Sequence, residues 1–81
     1  MYIVETMRRI MLPRGWVIRL WIAGVDLAEV DSLDLRARQL ATEAGSKLMA
    51  ADAIASLPHI NAVEVIDSGT GNGHVVYPDW P

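Results

Sequence analysis

The 81-residue chain contains no cysteine, so it holds neither a disulfide nor a thiolate zinc site. Its only lysine is Lys47, far from the glycine-rich stretch near the C-terminus, which removes the phosphate-binding lysine that a P-loop needs. Long apolar runs are also missing. The longest are interrupted by Arg19 or Asp26, well short of the roughly 20 residues of a membrane-spanning helix. No export signal is expected, because Arg8 and Arg9 follow the first apolar residues rather than precede them and no small-residue cleavage site comes after. Internal repeats, low-complexity tracts and a domain linker are absent as well. Together these absences predict one soluble, cytoplasmic domain over 1–81.

What is present is an apolar share of 52%. A chain of this length buries only about 60–65% of the surface of its unfolded form, so its stability is marginal. Some of the apolar surface is then available to a homodimer or another partner. The net charge is −3, unevenly placed. Residues 1–24 carry Arg8, Arg9, Arg14 and Arg19 against Glu5, a net of +3, whereas residues 25–81 carry Arg36, Arg38 and Lys47 against nine acids, a net of −6. That asymmetry fits either ordinary solvated surface or two binding faces of opposite sign.

Residues 2–11, "YIVETMRRIM", favour a strand through Tyr2, Ile3, Val4 and Thr6, although neither alternating set is purely apolar. Leu12-Pro13-Arg14-Gly15 then supplies a turn. "WVIRLWIA", residues 16–23, is the clearest strand. It places Trp16, Ile18, Leu20 and Ile22 on one face, expected to be the core face, and Val17, Arg19, Trp21 and Ala23 on the other. If the helix covered the second face instead, the roles of Trp16 and Trp21 would be exchanged. "VDLAEV", residues 25–30, alternates as an edge strand or an extended link would. Asp31 or Ser32 can cap a helix whose first turn Asp34 favours. Its apolar stripe is Leu33, Ala37, Leu40, Ala41, Ala44, Leu48 and Ala51, and Gly45 can bend or break it. Residues 52–57 form the last turns or a second short helix, and Pro58 ends it. "NAVEVID" and Val75-Val76-Tyr77 read as two more strands. The expected fold is α+β, an antiparallel sheet of about four strands in the order ββαββ with one main helix packed on one face.

Gly69, Gly71 and Gly73 do not make a phosphate cradle. Such a loop opens a helix, whose free amides and dipole hold the anion. Here a strand follows, and Asn72-Gly73 is a favoured hairpin pair because both residues tolerate positive φ. His59 and His74 stand with Asp52, Asp67 and Asp79 in no H-x-H or helical i, i+4 arrangement, so they read as surface or turn histidines. Ser32, Ser46, Ser56 and Ser68 lack the G-x-S-x-G surroundings of a nucleophile. A protein that is not an enzyme and uses no cofactor is expected. Trp21 beside Arg19 has the composition of a contact anchor. Tyr77 and Trp80 in the tail either fold back as a lid on the sheet or serve a partner.

The strand-strand-helix-strand-strand layout resembles the compact accessory proteins carried by phages, plasmids and integrated elements. It is similar in particular to small anti-CRISPR proteins, several of which use a bent sheet of about four strands and one helix. The stretch "LPHINAVEVIDSGTGNGHVVYPDWP" likewise resembles the C-terminal end of mobile-element proteins. This resemblance implies stoichiometric binding to a host protein complex that handles nucleic acid, with no cofactor. The expected contact residues are Arg8, Arg14, Arg19 and Trp21, with Asp26, Glu29, Asp31 and Asp34 on the acidic side. The alternative is a small nucleic-acid-binding protein that uses the arginine-rich hairpin, against which stand a pI of about 5.1 and the single lysine. Homodimerisation through the sheet edge or the exposed tryptophan face is compatible with both.

Overall fold

The computed structural model describes residues 5–78. The residues expected to begin the first strand at Tyr2, and the tail with Asp79 and Trp80, lie outside the described residues. The strands are β1 (Glu5–Met11), β2 (Trp16–Ala23), β3 (Ile60–Asp67) and β4 (Gly73–Tyr77). They form one four-stranded antiparallel sheet in the order β1-β2-β3-β4. Between β2 and β3 run two helices, α1 (Leu27–Glu43) and α2 (Lys47–Ala55). The α+β class and the antiparallel sheet are as expected, but the order is ββααββ, with two helices rather than one.

Two features of the sequence account for the extra helix. The segment 25–30, expected as an edge strand, belongs instead to the start of α1. Asp26 rather than Asp31 or Ser32 is the cap: its Oδ1 accepts from the Glu29 amide at 2.9 Å. A capped first turn outweighs the weak alternation of "VDLAEV", and it brings Val30 into helical phase with Leu33 and Ala37, all buried. The second feature is the break. Ala44 is extended (φ −75°, ψ 146°), Gly45 follows, and Ser46 recaps the chain by accepting from the Met49 amide at 3.2 Å. The restart changes the helical phase. Leu48, expected on the buried stripe, is therefore 50% exposed, while Ala50, Ala51 and Ile54 turn inward.

Both helices lie on one face of the sheet. Ile10, Ile18, Leu20, Ile22, Val63 and Val65 of the sheet form one core cluster with Val30, Leu33, Ala37, Ala50, Ala51 and Ile54. The small residues let the helix backbones approach the sheet closely. Each large aliphatic side chain removed from water here contributes about 1.5–3 kcal/mol. Trp16 packs on the edge of this cluster, so the core face of β2 is the one that carries Ile18, Leu20 and Ile22.

The two hairpin turns are joined to each other. The β1–β2 turn, Pro13–Gly15, holds both Arg14 (φ 65°) and Gly15 (φ 80°) in the left-handed region. For a residue with a Cβ this costs about 1–2 kcal/mol. The Gly15 carbonyl accepts from both the amide and the hydroxyl of Ser68, at the start of the β3–β4 turn. That second turn is the glycine stretch, and it is a hairpin as expected. Its geometry differs in detail: the positive φ falls on Gly71 (78°), not on Asn72 or Gly73. The Asp67 carbonyl accepts from the Gly71 amide at 2.7 Å, and the Asp67 amide donates to the Asn72 carbonyl at 2.9 Å. No helix among the described residues is long and apolar enough to cross a membrane.

Candidate interaction surface

The helices pack on the face of the sheet that carries Ile18, Leu20 and Ile22; on the other, open face the side chains range from exposed (Met7, Met11, Val75) through half-buried (Trp21, Ala62, Ile66) to buried (Val17). Strand alternation and cross-strand register arrange that open face in rows about 6.8 Å apart. One row is Met7, Trp21 and Ala62, and another is Met11, Val17 and Ile66. Between them lies a charged row of Arg9, Arg19 and Glu64, continued on β4 by Val75. Met7, Met11 and Val75 on this face are exposed, Met11 by 68%.

The charged row is held by its own geometry. Glu64 Oε1 accepts from Arg19 Nη2 at 2.7 Å and from Nε at 3.1 Å. The same guanidinium lies 5.6 Å from the Trp21 ring centroid, a cation–π arrangement on one strand. Gly73 gives the carboxylate room, because a Cβ there would stand 2.6 Å from Glu64 Oε2. Arg9 sits directly opposite Arg19, a like-charged cross-strand pair. Among the described residues Arg9 has no carboxylate within 4.0 Å.

The expected contact residues fall into three places. Arg19 and Trp21 stand together on the open face. Arg8, one residue from Arg9, points to the helix side, where it bridges Asp31 at 2.9 Å and Asp34 at 3.7 Å. Asp34 also receives Arg38 Nε at 3.1 Å. Asp26 caps α1, and Glu29 lies 3.8 Å from His59 Nε2. The basic hairpin and the acidic helix start thus face each other within one molecule. Arg14 is alone at the β1–β2 turn, away from both groups.

Sequence reasoning missed Arg9, Met7, Met11, Glu64 and Ile66 on the open face. The hairpin register carries the missing information: with a turn over 13–15, Arg9 must oppose Arg19 and Met7 must oppose Trp21. Among the described residues no three His, Asp or Glu side chains gather closely enough to hold a metal ion. The chain matches no protein-family model, no curated protein and no solved structure, so the geometry of this face carries the functional reading.

Proposed function

We propose that this chain works as a non-enzymatic protein-binding module whose contact surface is the open face of the sheet. The observation that supports this is the exposed side chains of Met7 and Met11, with half-buried Trp21 and Ile66 beside them, flanking a row with an excess of positive charge. Arg19 is neutralised by Glu64, whereas among the described residues Arg9 has no carboxylate within 4.0 Å. The partner that fits is a protein with an apolar surface and a carboxylate placed to meet Arg9. Removing that surface from water supplies affinity, and the charged row sets register. Such stoichiometric binding, without a cofactor, accords with the resemblance to anti-CRISPR-like accessory proteins of mobile elements. On this reading the chain inhibits or modulates a host complex. The acidic start of α1, already engaged with Arg8, is a lesser part of the contact.

The test is capture of a host protein by tagged chain from nuclease-treated lysate, followed by binding of the purified partner to wild type, Trp21→Ala and Arg9→Glu. Both variants should keep the native circular dichroism spectrum and lose binding by about tenfold or more. Equal binding by folded variants would refute the assignment of this face. Recovery that requires intact nucleic acid and falls steeply with salt would favour the arginine hairpin as a phosphate-binding element instead.

A further inference from the structure

At the end of the molecule where the β1–β2 turn meets the α1–α2 junction, a cleft of about 670 Å³ opens. Its apolar wall comes from Ile10, Leu12, Trp16, Ala41 and Ala50, and its cations are Arg14, Arg38 and Lys47. Among the described residues no carboxylate lines it, although the protein as a whole carries a net charge of −3. The volume lies within the roughly 300–1,000 Å³ of small-molecule sites.

Each cation has capacity left for a ligand. Lys47 Nζ rests 3.8 Å from the Trp16 ring centroid. Among the described residues neither Lys47 nor Arg14 has a carboxylate within 4.0 Å. Arg38 donates through Nε to Asp34 and through Nη2 to the Arg9 carbonyl, which fixes its stem and leaves Nη1 toward other acceptors. Arg14 is held at φ 65°, a conformation glycine would adopt without strain. Left-handed side-chain-bearing residues of this kind recur at ligand clamps. Ser46, which caps α2, also lines the cleft, so the positive end of that helix faces the same space.

We infer that this cleft binds a small amphiphilic anion, its carboxylate or phosphate held by Arg14, Lys47 and Arg38 and its apolar body laid against Trp16, Leu12 and Ile10. The site lies mostly apart from the open sheet face, because Trp16 and Trp21 project from opposite sides of β2, and the two surfaces meet at Met11. Charge-assisted hydrogen bonds to the anion supply recognition that an alcohol of the same length cannot reproduce.

The probes are decanoate, decyl phosphate and decan-1-ol, titrated below their aggregation concentrations into the full chain and followed by amide and indole NMR shifts. The two anions should bind saturably and shift the signals of Arg14, Trp16, Lys47 and Ala41. The alcohol should bind about tenfold more weakly or less. The tighter of the two anions identifies the headgroup. Arg14→Gly, which relieves the backbone strain, should raise the thermal midpoint and yet weaken anion binding, and Lys47→Gln should weaken it without altering the fold. Decan-1-ol binding as tightly as decanoate would overturn the proposal. So would shifts centred on Trp21, or unchanged affinity in the folded Arg14→Gly, Lys47→Gln double variant. Loss of partner binding at the sheet face leaves these readouts unaffected, so the two readings fail separately.

Discussion

Leu20 and Trp21 are consecutive residues of β2, and truncating each in turn tests which side of the sheet is core. Leu20 is 0% exposed and lies among Ile18, Ile22 and the helices. Leu20→Ala removes buried methyl groups and leaves a cavity, at a cost of about 2–5 kcal/mol. Trp21 is half-buried on the open face, in contact with the Arg19 guanidinium. Trp21→Ala loses part of an aromatic burial and one exposed cation–π contact, together about 1–2 kcal/mol. For an 81-residue domain the total stability is about 4–12 kcal/mol, so the first change removes a large share and the second a small one. In urea, with a slope of about 1 kcal/mol/M for a chain of this size, Leu20→Ala should lower the midpoint by about 2–5 M and Trp21→Ala by about 1–2 M. Unchanged slopes would show that the denatured state is the same in both. Equal midpoint losses, or a larger loss for Trp21→Ala, would refute the reasoning. The open face would then be a second core, and its contact role would fall with it.

Two further outcomes follow from single local interactions. Asp26→Ala should cost about 1 kcal/mol and reduce helical signal in far-UV circular dichroism, while Asp26→Asn should be close to neutral; equal, negligible effects would mean that α1 does not begin at Leu27. Gly73→Ala would place a methyl group where the Glu64 carboxylate now lies, so the flexible end of Glu64 must move. The coupling between Arg19 and Glu64 in a double-mutant cycle, about 0.5–1 kcal/mol for a pair of this exposure, should shrink in that background, and an unchanged coupling would count against the crowding.

The hairpins are legible in the sequence because their signals are local. "WVIRLWIA" alternates cleanly, and the proline and glycine turns fix where each hairpin reverses; the expected core face of β2 is the one the helices cover, but residues 16–23 alone leave the exchange of Trp16 and Trp21 open. The helical region was legible only as to kind. "VDLAEV" satisfies period 2 and, through Val30, also the 3.6-residue spacing to Leu33 and Ala37. A cap hydrogen bond at Asp26 decides between them, and that is a geometric fact. Gly45 was a visible break point, but the phase after it depends on Ser46 recapping the chain, which moved Leu48 out and Ile54 in. The open face was half legible. Arg19 and Trp21 come from one strand's alternation, whereas Arg9 and Glu64 come from partners whose register no single segment contains.

Summed charge says little about what this surface attracts. The acidic balance of the chain predicts repulsion of anions, yet the acids are unevenly engaged. Asp31 and Asp34 neutralise Arg8, with Asp34 also holding Arg38, and Glu64 neutralises Arg19. Asp26 and Asp67 accept backbone amides at a cap and a turn. Arg9, Arg14, Arg36 and Lys47 remain without a carboxylate within 4.0 Å among the described residues, and Arg9, Arg14 and Lys47 lie where exposed apolar side chains or the cleft adjoin them. Field strength near a group falls within about 10 Å at ordinary ionic strength, so these local excesses, and not the net −3, govern what docks beside them. The same local argument explains why two neighbouring residues on β1 behave differently. Arg8 faces α1 and pairs with Asp31 and Asp34, while Arg9 faces outward opposite Arg19. On the proposed reading, a carboxylate brought to Arg9 by a partner would relieve that repulsion, so an acidic protein surface should dock there despite the low pI of the chain.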